Sequence, residues 1–585
     1  MSVRKVFFSI LILVLILFFR GSWTLSQKLD YDFESQNQQE IPKPSYEVEV
    51  IVTNVDVVVT DKAGKQVTGL KPENFEIYED NLLQKLTNFY EVKGMEVLGS
   101  SAGQERQKPL PPPEPLPSRP SQIRNKIIIY FDNWHLHPLN RNWSIKKLEP
   151  FIKNNFPEEN SQNLGMVVCL DQKLEILQDF TSSQWELLRA INNVKGRTGQ
   201  SLLRQKNKEE LRNELNRIVA EATDLDKYEN YERAMGFARN YVEADQNDLI
   251  YSLKSLSAFT DYLMGIEGKK ILIYVSDGLP INPSEEVFSY LDQAFPISRA
   301  QSESMNYDAT QFFKELTAKS NANEIAIYPI NAKGLESLAL SADKERGYNI
   351  YSRGSGMVKP GSRATDEALK LMASDTGGLA ILNTNDIETG LEKIENDLQF
   401  YYSLGYVSPH REDNAYHSIE VKIVGVKEEY QVRVRHGYLR ISQDEKIRES
   451  LFSRLFLGRK YNPMEIMVQF MPLEKIPGSQ NLRLIIKLLI PIKRIALIQQ
   501  KEDYFGQIKV YIALMDQDGL ISPCYELSQE IKVPKKDYDI ALKSYYPYLA
   551  EMGVNPGQYT VSIALEDVEG ETINYLQLEK EVRLD

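Results

Sequence analysis

The chain predicts a mixed α/β protein: a doubly wound, mostly parallel sheet with flanking β modules and a C-terminal β-sandwich. Three observations carry this. Two short apolar runs, Lys126-Ile-Ile-Ile-Tyr-Phe-Asp132 and Lys270-Ile-Leu-Ile-Tyr-Val-Ser-Asp-Gly278, each end in a carboxylate. Runs of that kind, closed by turn residues, are strands buried on both faces, the usual state in a parallel sheet covered by helices. Residues 126–403 alternate such runs with stretches of helical period, and period-two alternation returns on either side of them.

A chain of 585 residues holds several domains, because single cores rarely grow beyond about 250–300 residues. Its 42% hydrophobic and 10% aromatic content supply enough apolar material for real cores. The net charge of −13 argues against nucleic acid as a partner, since phosphate recognition wants a basic surface. With only Cys169 and Cys524, the chain is no disulfide scaffold, and Cys169 within Met166-Val-Val-Cys-Leu170 reads as a packed thiol.

Arg4 and Lys5 precede the apolar run Val6 to Phe19, then Arg20 and small polar residues. The run is short for a membrane span and fits a secretory signal over 1–26, so the chain is expected in the periplasm or outside the cell. An uncleaved anchor is the alternative, and the membrane is expected as a partner only through it. Residues 27–44 are polar. A β module is expected over 46–95, with a hairpin turn at Asp61-Lys-Ala-Gly64. Seven of the twelve residues from Pro109 to Pro120 are proline, which makes 101–124 an extended spacer, with an SH3-type ligand as the alternative.

The α/β domain spans 125–408, with strands expected at 126–132, 166–171, 270–277, 324–331 and 378–382. Its helices are expected at 143–155, 183–194, 248–266, 308–319 and 386–401. Leu249, Leu253, Leu256 and Leu263 form a stripe at helical spacing before the central strand. An excursion over 197–245 contains two amphipathic segments, either a helical hairpin packed on the domain or a lid above the strand ends. The loop 333–363, with Tyr348 and Tyr351, is expected to border the same edge. Strands over 415–440 complete the N-terminal module, 441–460 is a charged helical connector, and 463–585 is the sandwich. Asp516 and Asp518 lack the downstream glutamate of a calcium loop, so a hairpin turn accounts for them.

Ligands of parallel sheets collect at the carboxyl ends of strands, which makes Asp132 and Asp277 the candidate site residues. A sheet with Asp at the end of its first strand and Ser-Asp-Gly at the end of another resembles a von Willebrand factor A domain, of Rossmann type. Val55-Asp-Val-Val-Val-Thr-Asp-Lys-Ala-Gly-Lys-Gln-Val-Thr-Gly-Leu70, Asn74-Phe-Glu-Ile-Tyr-Glu-Asp80, Tyr401-Tyr-Ser-Leu-Gly-Tyr406 and His436-Gly-Tyr438 resemble the bacterial secreted VWFA-related domain family. That likeness covers about 46–440. It implies a divalent cation, Mg²⁺ or Mn²⁺, at the strand ends, bound by Asp132 and Asp277 with Thr198 or Asp248 as the intermediate ligand. The family's first-strand pattern is Asp-x-Ser-x-Ser, and here Trp134 and Leu136 stand at the serine positions. A vestigial site, its carboxylates bonding loop amides, is the alternative. So is zinc on Asp132, His135 and His137.

The function expected is that of a secreted, non-enzymatic binding, adhesion or assembly protein with a protein partner. An exported hydrolase is the rival, although no Gly-x-Ser-x-Gly elbow, His-Glu-x-x-His helix or Gly-rich phosphate loop is present. Carbohydrate binding by 463–585 is a third reading.

Overall fold

The computed structural model describes residues 52–93, 96–101, 125–334, 363–457 and 462–583, apart from 159–160, 162, 265, 267–268, 297, 411–413 and 479–480. The signal segment, the polar stretch after it, nearly all of the proline-rich spacer and nearly all of the 333–363 loop lie outside these residues.

The N-terminal strands are β1 (Val52–Thr60), β2 (Phe75–Glu79), β3 (Leu82–Gln84), β4 (Leu86–Lys93) and β5 (Glu96–Ser101). The α/β unit follows with β6 (Lys126–Asp132), α1 (Pro138–Asn155), β7 (Leu164–Leu170), β8 (Leu174–Thr181), α2 (Gln184–Val194), α3 (Ser201–Glu221) and α4 (Lys227–Tyr262). It continues with β9 (Lys270–Ser276), α5 (Glu285–Ala294), α6 (Thr310–Ala322), β10 (Ile325–Asn331), α7 (Arg363–Asp375) and α8 (Ile387–Gln399).

The α/β sheet runs in the order β10-β9-β6-β7-β8. β10, β9, β6 and β7 are mutually parallel, and β8 closes one edge antiparallel to β7. Alternate residues of one strand serve opposite faces. Ile127, Ile129 and Phe131 join a core with Leu148 of α1, Ile191 of α2 and Leu391 of α8. Ile128 and Tyr130 join another with Leu253 of α4, Phe313 of α6 and Leu369 of α7. Helices thus cover both faces, which explains why β6 and β9 read as unbroken apolar runs.

Several boundaries differ from the sequence reading. No strand forms at 378–382, where a single bridge joins Ile381 to Ile330 of β10. Pro329 on that edge has no N–H to extend a ladder, and Gly378 sits so close to Ile327 that a Cβ would lie 2.0 Å from its carbonyl oxygen. The excursion does not end at 245. Its second segment and the helix before the central strand are one 36-residue helix, α4, so Asp248 lies mid-helix instead of opening one.

β11 (Phe400–Val407) leaves the α/β unit and lies between β1 and β4. β12 (Tyr416–Ile423) lies between β2 and β14 (Gly437–Leu439), while β13 (Gln431–Arg433) pairs with the end of β1. The two sheets share one core, including Val55, Val57, Phe75, Tyr402 and Val421. The N-terminal module therefore takes its central strand from beyond residue 399.

Helix α9 (Gln443–Leu457) follows, packed on one side against α4 and on the other against Tyr511, Ala564 and Tyr575. Beyond it come β15 (Met467–Phe470), β16 (Glu474–Lys475), β17 (Leu482–Pro491), β18 (Ile498–Gln500), β19 (Asp503–Asp516), β20 (Tyr525–Pro534), β21 (Tyr545–Val554), β22 (Gly557–Asp567) and β23 (Thr572–Val582). They form two antiparallel sheets around a core with Leu484, Ile486, Val510, Ile512 and Ile563. The Asp516 carboxylate accepts from the amides of Asp518 (3.0 Å) and Leu520 (2.9 Å), which uses it in the turn. Among the described residues no helix is long and apolar enough to cross a membrane.

Candidate functional site

β6 and β9 are adjacent and in register, with Phe131 opposite Val275. Asp132 and Asp277 therefore leave the sheet at the same rim, where parallel strands present their carboxyl ends. The segment 133–140 turns over that rim and engages both carboxylates.

Asp132 is fully buried. Its Oδ2 accepts from the Tyr274 hydroxyl at 2.5 Å and lies 2.9 Å from Nδ1 of His135. Oδ1 accepts from the His135 amide and the Ser252 hydroxyl, each at 3.4 Å. Burial pushes this carboxyl up, but the His135 imidazole and the Tyr274 hydroxyl outweigh it and hold the group below the usual carboxylate range.

Asp277 begins the loop after β9. Its Oδ2 accepts from the His137 amide at 2.9 Å, and Asn140 Nδ2 lies 3.0 Å from both carboxylate oxygens. Burial dominates here and pushes the carboxyl up to about 6. The two aspartates therefore carry opposite shifts, one held ionised by its partners and one biased toward the neutral acid.

Of the other sequence candidates, Asp248 lies beside Trp134 and His135 of that segment, and Thr198 is not joined to it. Asp248 faces Arg204, whose Nε lies 3.3 Å away and whose Nη2 bonds Asp245 at 2.6 Å. Thr198 is exposed, and no contact among the described residues joins it to Asp132 or Asp277. Its segment is nonetheless anchored at the rim. Buried Arg141 donates to the carbonyls of Lys195 (2.9 Å) and Arg197 (2.6 Å) and to Asn133 Oδ1 (2.9 Å). A Cβ on Gly199 would lie 2.4 Å from the Asn133 carbonyl oxygen, so only glycine fits that crossing. Sequence reasoning missed Arg141, Asn140 and Ser252, since one polar residue in a helical pattern carries no signal of what it touches.

These donors bear on the cation that the family likeness implies. Mg²⁺ takes oxygen ligands in near-octahedral geometry. Trp134 packs against Tyr251 at 4.8 Å, Leu136 is fully buried, and the lone pairs of both aspartates face protein N–H and O–H groups. This donor set does not fit Mg²⁺ or Mn²⁺. Nor do Asp132, His135 and His137 converge as zinc ligands: His137 caps α1, and its Nδ1 accepts from the Leu139 amide at 3.2 Å. Cys169, buried in the sheet with its thiol pushed up to about 12, is a packing residue.

The rim has apolar and acidic flanks. Leu139 at the start of α1, Leu202 and Leu203 at the start of α3, and Met305 are exposed. A groove of about 330 Å³ opens just past the Asp277 turn, lined among others by Ile281, Glu285, Met305, Asp308 and Glu367.

No protein-family model and no curated protein matches the chain. Among solved structures, it is similar to the vWF domain of the type V pili tip protein Mfa5 from Porphyromonas gingivalis, at 11% identity over 47% of this chain and 95% of that one, TM-score 0.26. A structure of three N-terminal domains of Mfa5 is matched at 9% identity over 92% and 78% of the two chains, TM-score 0.25. An aerotolerance-related membrane protein from Bacteroides fragilis is matched at 8% identity over 47% and 98%, TM-score 0.23. Scores of this size carry no weight; the strand pairings and the two helix-covered faces define the fold.

Proposed function

We propose that the chain is an exported, non-enzymatic binding or assembly protein whose von Willebrand A-like, doubly wound unit engages a protein partner through the strand-end rim, without a cation. The observation that carries this reading is the closure of Asp132 and Asp277 by the 133–140 segment. Two carboxylates normally placed for a ligand instead brace a rigid rim. Exposed Leu139, Leu202, Leu203 and Met305 flank it, and Glu285, Asp308 and Glu367 line the groove beside it. Exposed apolar side chains beside an acidic groove suit a protein surface with apolar anchors and basic neighbours.

The trio Ser252, His135 and Asp132 gives the hydrolase alternative no support. Ser252 and Asp132 both face Nδ1 of His135, at 3.0 and 2.9 Å, whereas a relay needs nucleophile and carboxylate on opposite ring nitrogens. All three side chains are also buried away from substrate. Capture from the exported fraction with the native chain and with Asp277→Ala tests the proposal. Loss of a partner with the variant supports this edge, and equal recovery by both removes it.

A further inference from the structure

We infer that the outward face of the sheet built from β15, β16, β17 and β21 is a self-association surface, on which a second copy of this chain docks by two-fold symmetry. This face belongs to the C-terminal sandwich and does not depend on the strand-end rim.

The register defines the face. β17 lies between β21 on one side and β15 with β16 on the other. Its inward residues Leu484, Ile486 and Leu488 enter the sandwich core, and the alternation turns Arg483, Ile485, Lys487 and Leu489 outward. Leu489 stands opposite Met467 of β15 and opposite Pro547 of β21. Lys487 stands opposite Leu549, and Ile485 opposite Glu551. The Met471 amide donates to the Ile485 carbonyl at 3.0 Å, which brings a second methionine to the same rows.

The free face of an antiparallel sheet is normally polar. The other sheet of the sandwich keeps that rule, since Glu526, Ser528, Glu530 and Lys532 are the exposed alternate set of β20. Here the outward side chains are apolar and exposed: Leu549 at 55%, Tyr545 at 49%, Met467 at 43% and Met471 at 37%. The pairings put them next to one another and next to Leu489 and Ile485, so they make one patch. A contiguous apolar patch with charges at its end marks an interaction surface.

Charge, area and edge chemistry all favour a second copy as the occupant. Lys487 makes no ion pair among the described residues, and Glu551, on the neighbouring strand, shares Arg483 with Glu474 at 3.9 and 3.5 Å. In a two-fold contact the patch meets itself, so Lys487 of one copy can face Glu551 of the second copy, and the reverse. Three strands about 4.8 Å apart and some ten residues long give about 500 Å² in projection. With its side chains standing out, such a face is of the order of the roughly 800 Å² per partner that a stable interface takes. Among the described residues β21 pairs with β17 alone, and its outer edge meets Pro547, which has no N–H for a further strand. Edge-to-edge growth is thereby blocked, and the contact is left to the face.

The test is sedimentation velocity of the full-length chain across the micromolar range. The native chain is expected as a dimer, and so is Leu202→Asp, which alters the strand-end rim alone. Met467→Lys with Leu549→Lys is expected as a monomer, and both side chains are exposed, so the core is untouched. Should that variant fail to fold, Lys487→Glu takes its place. It should weaken the dimer about tenfold, and adding Glu551→Lys should restore it. A native chain that is monomeric, or that grows into open-ended assemblies, overturns the proposed surface and gives the face to another occupant. A dimer untouched by these substitutions overturns it too. Every chain compared keeps the apolar run Val6 to Phe19, so association through that run is the same in all of them.

Discussion

His135 Nδ1 lies 2.9 Å from the carboxylate of Asp132, and the same turn, two residues on, sends the His137 amide to Asp277 at 2.9 Å. One short segment therefore engages both carboxylates that β6 and β9 deliver to the rim. Their contrasting environments make the rim's behaviour testable.

The raised pKa of Asp277 makes the first prediction. With its folded value near 6, above the ordinary 3.8, the native state holds a proton in a window where the unfolded chain has released it. Stability from this residue is present below pH about 4, declines as pH rises to about 6, and stays level above. Asp277→Asn keeps an acceptor for the His137 amide and removes the charge. It should stabilise the fold by about 1–2 kcal/mol near neutral pH and by nothing below pH about 4, read from denaturant midpoints across that range.

Asp397 joins the N-terminal module to the α/β unit. It is buried, takes a bidentate pair from Arg433 at 2.6 Å and 2.6 Å, and accepts from Gln66 at 3.0 Å and Tyr328 at 3.2 Å. Asp397→Ala leaves the guanidinium without its partner and should cost about 3–5 kcal/mol. Equilibrium unfolding checks this, and an effect within the scatter of a surface substitution would show that the pair is no junction.

Arg454 plays the corresponding part at the other end. It is almost fully buried, with its guanidinium 4.5 Å from the Tyr262 ring and 4.0 Å from the Tyr575 ring, and it donates to the Tyr262 carbonyl at 3.0 Å. The cation sits between the last residue of α4 and β23. Arg454→Ala removes two cation–π contacts and opens a cavity, costing about 3 kcal/mol. Calorimetry should then show the transition of 463–583 moved to lower temperature relative to the native chain.

The sequence made the sheet legible because burial on both faces writes itself as an unbroken apolar run. β6, β7, β9 and β10 all show it, while β8 (Leu174–Thr181), half-buried along its length, does not. The period-two strands around the α/β unit were readable for a related reason, one face inward and one outward. The continuity of α4 was not, since a change in charge pattern near 245 imitates a boundary although no proline or glycine breaks the chain there. Asp132 and Asp277 were found because a carboxylate after an apolar run is conspicuous. Their donors were not, since a polar residue after a strand carries no mark of the carboxylate it will meet.

The proposed rim binds its partner without a divalent cation. The most direct measurement is capture of that partner from the exported fraction by the native chain and by a chain carrying Leu202→Asp with Leu203→Asp, each with EDTA and with Mg²⁺. The native chain should capture equally in both buffers, and the variant should lose capture in both. Undiminished capture by the variant, or capture by the native chain only when Mg²⁺ is present, would contradict cation-free binding at the rim.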